Sequence, residues 1–354
     1  MIMFLNNIKN IFFSSFLILS FVIAQDIEDL TFGDSNSLDI ATWNIEWFPK
    51  NNQITIEYLI DIISQLDLDI LAIQEIDDTT MFNQMLDSLI AYTGYYQSSW
   101  FAGLAYIYKT SEVELNDAYE IYTTSSYWNA FPRSPMVMDF NFNGYNFFII
   151  NNHFKCCGDG IIDFNDSYDE ENRRFQASNL IKEYIDEYLP EDKVIVLGDL
   201  NDDIAESLPN NVFQEILEDT SNYFFADIGI AQGNSSNWSF PNWPSHLDHK
   251  LITNELFNVV SNESVQTIKI DEYLDGGWSE YDQNVSDHRP VGIKISVSLI
   301  PIYDIDNNGI INESDIEIYL YYLMNEEGVF EEDINNDNAI DIFDLLILCD
   351  FLQG

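Results

Sequence analysis

The sequence predicts an α/β domain followed by a small helical region, and two observations support this prediction. From residue 38 to about residue 298, short β-branched and aromatic runs alternate with longer stretches of helical periodicity. After Pro301 the composition changes, because residues 304–354 contain 14 acidic side chains and no lysine or arginine. Alternating strands and helices are typical of a sheet covered by helices. The chain is therefore expected to contain one large α/β domain and a second, smaller unit.

Strand-like composition predicts seven strands in the large domain, at residues 39–43, 70–74, 104–108, 147–151, 194–197, 250–253 and 291–297. Helical periodicity predicts four helices between them, at residues 55–66, 80–92, 174–188 and 212–217. Many of these strands end in a polar or charged residue, which is typical of a functional site built where strands leave a sheet. Periodicity alone does not distinguish between the possible α/β arrangements.

The first 24 residues have the pattern of a secretory signal peptide. Lys9 precedes an apolar run from Ile11 to Ile23, and the small residue Ala24 follows it. The run is short for a membrane-spanning helix, although its retention as an anchor stays open as an alternative. We therefore expect residues 1–24 to be removed. The mature protein is then secreted or extracellular, free or attached to the cell surface, or periplasmic, with no stable membrane insertion.

Composition excludes a disordered chain, because 46% of the residues are hydrophobic and 15% are aromatic. The formal net charge of −48 favours a salty environment and counts against non-specific binding of nucleic acid. Three cysteines are too few for a disulfide framework. Cys349 lies in an apolar helical pattern and is predicted to be a core residue. The adjacent pair Cys156-Cys157 is compatible with a vicinal disulfide, a metal site or two reduced thiols.

The C-terminal region contains an internal repeat of calcium-loop type. Residues 304–315 and 333–344 both carry oxygen-bearing side chains at positions 1, 3, 5, 9 and 12 of the loop, the spacing of a Ca²⁺ cage. The predicted Ca²⁺ ligands are Asp304, Asp306, Asn308, Asn312, Asp315, Asp333, Asn335, Asp337, Asp341 and Asp344. One predicted helix follows each loop, at residues 316–324 and 342–352, so the region resembles a type I dockerin. This resemblance implies that residues 302–354 form a Ca²⁺-dependent domain with a possible cohesin-like partner.

All four histidines lie in strand-end clusters that also contain aspartate or asparagine. The full set of clusters comprises residues 42–46, 73–76, 151–155, 197–202, 245–249 and 286–290. In this order, the clusters resemble the endonuclease/exonuclease/phosphatase superfamily, whose familiar member is DNase I, over about residues 38–298. The resemblance implies a four-layer DNase I-like α/β sandwich that hydrolyses phosphate esters with the help of a metal ion.

The resemblance also implies a metal site and its ligands. Hydrolysis of a phosphodiester requires a Lewis acid at the non-bridging oxygens, and Mg²⁺ takes one or two carboxylates while keeping several waters. Glu75 is expected to be the primary ligand of Mg²⁺ or Mn²⁺, with Asn44 and Asp287 beside it.

The catalytic residues implied by the resemblance are His153, Asp199, Asn201, Asp248 and His288. His288 is expected to be a general base whose tautomer is fixed by Asp248, since an imidazole near its ordinary pKa suits that task. His153 is expected to donate to the phosphate or to the leaving group. Asp199 and Asn201 are expected to position the attacking water and the scissile phosphate.

Half of the 12 lysines and arginines that follow residue 24 lie in or near these motifs, which suggests an anionic substrate. These six are Arg133, Lys155, Arg173, Arg174, Lys250 and Arg289. Arg133, Lys155 and Arg173 are predicted to contact the substrate phosphate. Residues 152–158 and 172–177 also resemble a region of exported bacterial nucleases, although Cys156-Cys157 stands where those proteins usually have Ser-Lys.

The sequence therefore favours a secreted endonuclease that cleaves DNA, or alternatively RNA. Asp77 stands where DNase I-type enzymes carry an arginine that contacts the DNA backbone, so one such contact is missing. A phosphodiesterase or phosphatase acting on phospholipid head groups or small phosphate esters is a second reading. A non-catalytic binding module is a third, and the intact set of motif residues argues against it.

Overall fold

A computed structural model describes residues 26–261, 264–297, 303–305, 311–325, 334 and 340–353. The predicted signal peptide lies outside these residues, and so do the predicted calcium ligands Asp306, Asn308, Asp333, Asn335 and Asp337. None of the helices in the described part of the chain combines the length and the apolar character needed to cross a lipid bilayer.

The described residues contain twelve strands: β1 (Leu38–Phe48), β2 (Ile70–Ile76), β3 (Tyr92–Tyr95), β4 (Gly103–Lys109), β5 (Val113–Glu120), β6 (Met136–Phe142), β7 (Tyr145–His153), β8 (Val194–Asp199), β9 (Tyr223–Phe225), β10 (Asp248–Thr253), β11 (Val265–Thr267) and β12 (Val291–Ile295). The α-helices in the same ranges are α1 (Gln53–Leu66), α2 (Thr79–Leu86), α3 (Glu170–Tyr188), α4 (Gln214–Glu218), α5 (Ile228–Ala231), α6 (Gly277–Asn284), α7 (Glu313–Asn325) and α8 (Ile342–Gln353).

The strands form two six-stranded mixed sheets. The order is β11-β12-β1-β2-β4-β3 in the first sheet and β5-β6-β7-β8-β10-β9 in the second. The pairs β1–β2 and β7–β8 are parallel, and the other strand pairs of both sheets are antiparallel. Each sheet therefore has one parallel pair near its centre, and residues that end those strands lie at one edge of the sheet.

Three apolar clusters show how the layers pack. Side chains of both sheets, including Tyr106, Phe140 and Phe147, form one buried cluster between them. A second cluster joins the first sheet to α1, α2 and α6, and a third joins the second sheet to α3 and α4. Helices thus cover the outer face of each sheet, and the predicted four-layer sandwich is confirmed. Burial on both faces explains why the central strands read as nearly continuous apolar runs.

The predicted helix at residues 80–92 is too long. Helix α2 ends at Leu86, and Tyr92 begins the short edge strand β3, which pairs with β4. Strands β5, β6, β9 and β11 were not predicted, because their alternating or very short patterns resemble loops when read alone. Pairing with neighbouring strands decides their conformation, and local sequence does not carry that information.

In the C-terminal region, α7 and α8 share a small apolar cluster. It is built around Ile305, Tyr319, Ile334, Leu345 and Leu348, and Tyr319 and Leu348 are fully buried. Ile305 and Ile334 occupy the second position of the two repeated loops, so the repeat seen in the sequence corresponds to a repeat in packing.

Candidate active site

The central strands of the two sheets bring four of the predicted residues together. Asn44 and Glu75 lie near the ends of the parallel strands β1 and β2, and His153 and Asp199 end the parallel strands β7 and β8. His153 and Asp199 are direct partners in the β7–β8 register. The amide nitrogen of Asn44 donates to Asp199 Oδ2 at 3.0 Å, which joins one sheet to the other. The site is therefore shared between the sheets.

An antiparallel strand and a loop complete this constellation. Asp248 begins β10 and faces Asp199 in the antiparallel β8–β10 register. Asp287 and His288 lie in the loop before β12. Ser286 Oγ donates to the carbonyl oxygen of Asn44 at 2.6 Å, which fixes this loop to the end of β1.

These residues surround a cavity of about 800 Å³. The predicted residues in its wall are Asn44, Glu75, His153, Asp199, Asn201, Asp287 and His288. Asp248 is buried behind His288 and does not belong to the wall. The cavity wall thus contains two candidate proton-transfer rings, His153 and His288, with several carboxylates around them and Asp248 behind His288.

His288 is held by Asp248 in a well-defined orientation. Its Nδ1 lies 2.8 Å from Asp248 Oδ2, and both residues are buried. Its Nε2 faces the cavity, 3.8 Å from Asp199 and 3.9 Å from Asp287. Nε2 is therefore the ring atom that can exchange a proton with water or substrate.

The charge state of His288 follows from its neighbours. Burial alone would lower the pKa of His288, but the carboxylates of Asp248 and Asp199 outweigh burial and raise it. A general base must be neutral before it accepts a proton, whereas these two carboxylates favour the positively charged ring. A divalent cation held by the neighbouring Glu75 and Asp287 would oppose that charge, so the predicted base role depends on the metal ion.

His153 has the opposite electrostatic setting. Burial lowers the pKa of His153, and the positive charge of Arg133 lowers it further. Its Nε2 lies 3.6 Å from Asp199 and 3.8 Å from Glu75, so the ring stands beside both carboxylates without a short hydrogen bond. A neutral imidazole of this kind can donate one N–H group to a phosphate oxygen.

The cavity residues fit a divalent cation. Burial and the carboxylates of Asp248 and Glu75 raise the pKa of Asp199, and burial and Glu46 raise that of Asp287, although His288 opposes both shifts. Acidic groups crowded in this way are stabilised by a hard cation with oxygen ligands. In the described orientation Asn44 directs its amide nitrogen toward Glu75, at 3.3 Å, so Asn44 would have to rotate to offer its oxygen.

Several wall residues have an unusual backbone. Glu46, Trp47, Glu75, Cys157 and Asn201 all have φ between 40° and 72°, in the left-handed region that residues other than glycine rarely adopt. Each such conformation costs about 1–3 kcal/mol and persists only where the surrounding structure enforces it. Their concentration around one cavity is typical of a functional site.

A buried polar network supports the site, and none of its members has a role that was predicted from the sequence. Gln74 Nε2 donates to Thr42 Oγ1 at 2.9 Å and to Asn151 Oδ1 at 2.7 Å, while Asn151 Nδ2 donates to the carbonyl oxygen of Ile73 at 3.0 Å. These residues flank the motif residues in the sequence. Their burial, which would have revealed the network, is a property of the packed sheets.

The three cations predicted to contact the substrate phosphate are not among the described residues of the cavity wall. Arg133 and Arg173 each donate through Nε to a backbone carbonyl oxygen, at 3.1 and 2.5 Å. Lys155 Nζ lies 3.8 Å from Glu170. Arg133 is close enough to affect the pKa of His153, so it remains the strongest candidate of the three.

The other three cations near the motifs do not form a substrate site. Arg289 makes a two-pronged ion pair with Asp271, at 2.7 and 2.6 Å. Arg174 donates to Asp202 at 2.7 Å and is buried. Burial lowers the pKa of Lys250 to about 7, and its Nζ has no hydrogen-bond partner among the described residues. The inference of an anionic substrate from clustered cations is therefore weakened, because Arg174 and Arg289 are paired with carboxylates and burial disfavours the charged form of Lys250.

A second buried cluster lies next to the cavity. Asp227 Oδ2 contacts His246 Nε2 at 3.0 Å and His249 Nδ1 at 2.6 Å, and His249 Nε2 lies 2.8 Å from the carbonyl oxygen of Asp202. Both nitrogens of His249 thus face acceptors. The carboxylate of Asp227 raises the pKa of His249, although burial acts in the opposite direction. His249 is therefore a structural imidazolium that holds the loop of Asp202 in place.

The order of the motifs along these sheets agrees with a match to a family model over residues 41–288, described as the endonuclease/exonuclease/phosphatase family. The chain belongs to this family. Members of the family hydrolyse phosphate esters, usually with a divalent metal ion. No curated protein sequence matches the chain significantly.

Solved structures of this family are similar in fold. D. rerio TDP2 complexed with a single strand DNA product has 15% identity and a TM-score of 0.55, covering 74% of this chain and 99% of that chain. A family protein from Bacteroides vulgatus has 17% identity and a TM-score of 0.52, covering 73% and 98%. The human Nocturnin catalytic domain with bound sulfate has 16% identity and a TM-score of 0.52, covering 74% and 93%. Identities this low establish the shared fold alone.

Proposed function

We propose that this family member is a metal-dependent phosphodiesterase that acts outside the cell. Its substrate in this proposal is nucleic acid, and DNA is the preferred one. The observation that carries the proposal is the shared cavity, in which His288 Nε2 faces Asp199 while Asp248 fixes the other ring nitrogen. A fixed imidazole opposite a buried carboxylate can move protons between water and a phosphate ester.

Each residue has a task in this proposal. Asp199 and Asn201 orient the attacking water, and His288 exchanges its proton at Nε2. His153 donates an N–H group to a phosphate oxygen or to the leaving oxygen. Glu75, with Asp287 and Asn44, would hold a Mg²⁺ or Mn²⁺ ion, which supplies Lewis-acid polarisation of the phosphate when bound.

Exposed aromatic side chains at the rim of the cavity favour a single-stranded substrate. Trp47 and Trp243 belong to the cavity wall and are 52% and 78% exposed. Trp47 also stacks on Phe101, with ring centroids 6.3 Å apart. Nucleic acid bases stack on such rings at about 1–3 kcal/mol per base, and the unpaired bases of a single strand are free to do so. The net charge of −48 repels the more highly charged duplex.

A small phosphate ester or a phospholipid head group is the second candidate substrate. Arg174 is the one lysine or arginine among the described wall residues, and its guanidinium is engaged by Asp202 and by backbone carbonyl oxygens. A cavity with so little free positive charge suits a substrate with a single phosphate group. The non-catalytic reading has no comparable support, because the acid–base residues are all present.

The decisive experiment compares substrates for the purified protein. Single-stranded DNA, plasmid, RNA, sphingomyelin and a phosphate monoester are each incubated with Mg²⁺ or with EDTA. We expect Mg²⁺-dependent cleavage of single-stranded DNA, and a loss of at least about 100-fold in Glu75→Gln and His288→Ala, as is typical of acid–base groups. Asp67→Asn, at an exposed helix end, is the control. Intact nucleic acid together with a cleaved lipid or monoester would select the second candidate.

We further propose that residues 302–354 form a dockerin-like Ca²⁺ module of an exported protein, with a cohesin-like partner. Corresponding positions of the two loops make corresponding hydrogen bonds, which supports this proposal. Asp315 Oδ2 accepts from the Asn312 amide at 2.7 Å, and Asp344 Oδ2 accepts from the Asp341 amide at 2.8 Å. Both aspartates are buried, and Asp304 is buried as well. Buried carboxylates at the predicted ligand positions suit a bound cation.

A further inference from the structure

The wall of the cavity contains two adjacent thiols. Cys156 and Cys157 are both exposed, and their sulfur atoms lie 3.0 Å apart. Both belong to the same wall as Glu75, His153 and His288. None of the acid–base or metal-binding tasks of the phosphodiesterase uses a thiol, so the pair has no role in the reaction described above.

The two thiols are not equivalent. Lys155 Nζ lies 3.6 Å from Cys156 Sγ, so a positive charge faces that sulfur. The hydrogen bond to Cys156 raises the pKa of the Cys157 thiol, and the partial loss of its hydration raises it further. A thiolate is the nucleophile in thiol–disulfide exchange. Cys156 is therefore placed to attack first, and Cys157 is placed to keep its proton until the second step.

The backbone around the pair is joined to the cavity through one buried cation. Arg174 Nη1 donates to the carbonyl oxygens of Lys155 at 2.8 Å and of Cys157 at 2.7 Å, one on each side of the dithiol. Arg174 Nε donates to Asp202, another residue of the cavity wall, at 2.7 Å. A change in the backbone of the dithiol is therefore transmitted to Asp202 through a single guanidinium group.

We propose that Cys156 and Cys157 form a reversible modification site that closes into a vicinal disulfide and thereby controls the shape of the cavity. The oxidant is a small-molecule disulfide. The Cys156 thiolate attacks one of its sulfur atoms and releases one equivalent of small thiol. Cys157 then loses its proton, attacks the Cys156 sulfur of the mixed disulfide and releases a second equivalent. The two protein thiols are oxidised, and one small disulfide is reduced to two small thiols.

Adjacency makes the product easy to reduce again. Neighbouring Cα atoms are about 3.8 Å apart across a trans peptide bond, whereas unstrained disulfides join Cα atoms about 4.4–6.8 Å apart. Strained and exposed disulfides are the labile ones, in contrast to structural disulfides. The small ring also contains the peptide bond between the cysteines. Closure therefore reorients the flanking carbonyl groups that Arg174 binds.

The chemical test uses the full chain and glutathione disulfide. The reduced protein is treated, digested and analysed by mass spectrometry. We expect the 156–157 peptide to lose two hydrogen atoms and to regain them with dithiothreitol. Cys156→Ser and Cys157→Ser should instead retain a single glutathione adduct. Cys349, half-buried in α8, is the internal reference for a solitary thiol. Phenylarsine oxide, which bridges two thiols, should bind the wild type and neither single variant.

The functional test compares oxidised and reduced protein within each variant. We expect oxidation to lower phosphodiesterase activity by about threefold or more in the wild type and to leave the Cys156→Ser/Cys157→Ser variant unchanged. Stable glutathione adducts on both cysteines without ring closure would overturn the modification site. Ring closure with equal activity in both states would overturn its control of the cavity. The mass measurement needs no substrate, so a failure of the proposed activity is distinguishable from a failure of this inference.

Discussion

The most informative single change is Asp248→Asn, because it removes a charge that acts on the cavity without belonging to its wall. Asp248 is fully buried, and its Oδ2 lies 2.8 Å from His288 Nδ1. Asparagine has nearly the same shape, so the packing of β10 is retained. What changes is the charge that stabilises the His288 ring and fixes its tautomer.

The size of the effect follows from this one contact. A hydrogen bond to a charged group contributes about 1.5–3 kcal/mol. At about 1.4 kcal/mol per factor of ten, its loss corresponds to a fall in kcat of about 10- to 150-fold. KM should change little, because Asp248 does not belong to the cavity wall. The Asp248 carboxylate raises the pKa of His288, so its removal lowers that pKa. The limb of the pH–rate profile that reports His288 should therefore move to lower pH.

The assay is steady-state hydrolysis of bis(p-nitrophenyl) phosphate and of single-stranded DNA over a range of pH, with saturating Mg²⁺. Asp67→Asn is the matched control, since Asp67 lies at an exposed helix end where its φ of 52° is also tolerated by asparagine. The thermal unfolding midpoint of both variants shows whether they are folded. A kcat for Asp248→Asn within about twofold of the control, with an unmoved pH profile, would refute the assigned role of the dyad.

Three further predictions concern stability and metal binding. Gly198 has φ of 135°, and an added Cβ would lie 1.9 Å from the carbonyl oxygen of Asn152, so Gly198→Ala should lower the free energy of unfolding by about 3 kcal/mol or more. The control Gly144→Ala has φ of 84° but no neighbour within 4 Å, so it should cost only about 1 kcal/mol in urea denaturation; equal losses would contradict the steric argument. The pKa of Lys250 is about 7 in the folded protein and about 10.4 in the unfolded chain, so the unfolded state binds more protons between these values and this residue's contribution to stability rises with pH. Lys250→Met should therefore gain about 2 kcal/mol or more over the wild type at pH 7 and lose most of that gain near pH 10, and a pH-independent difference would contradict it. Removal of Ca²⁺ from the full chain should increase hydrogen exchange in α7 and α8, and Asp315→Ala with Asp344→Ala should reproduce the increase in the presence of Ca²⁺; equal exchange with and without Ca²⁺ would contradict the proposed module.

The motif residues could be predicted because their chemistry is visible in short segments. Glu75, His153 and Asp199 each stand at the end of an apolar run, and parallel strands that end in polar groups bring those groups to one edge of a sheet. The order of the motifs then indicated the family. Edge strands such as β3 and β5 could not be predicted in this way, because their side chains are only partly buried and their pairing is decided by distant segments.

The cations show where prediction from sequence fails. Proximity to the motifs in the sequence suggested that the clustered cations, Arg174, Lys250 and Arg289 among them, surround the site of an anionic substrate. In the structure Arg174 and Arg289 pair with the carboxylates of Asp202 and Asp271, and Lys250 lies inside a strand. Charge can be counted along a chain, but its partner depends on which segments meet in space, and that information is not local.

The sequence by itself determined the class of fold, the family and the chemical groups of the site, because strand periodicity and residue types are local properties. Only the tertiary structure decided how those groups act on one another. Asp248 and His288 are 40 residues apart and yet 2.8 Å from each other, and the amide of Asn44 reaches Asp199 of the other sheet at 3.0 Å. Burial in the packed sandwich then sets the charge of each group, since the cost of burying a charge depends on the neighbours that folding provides.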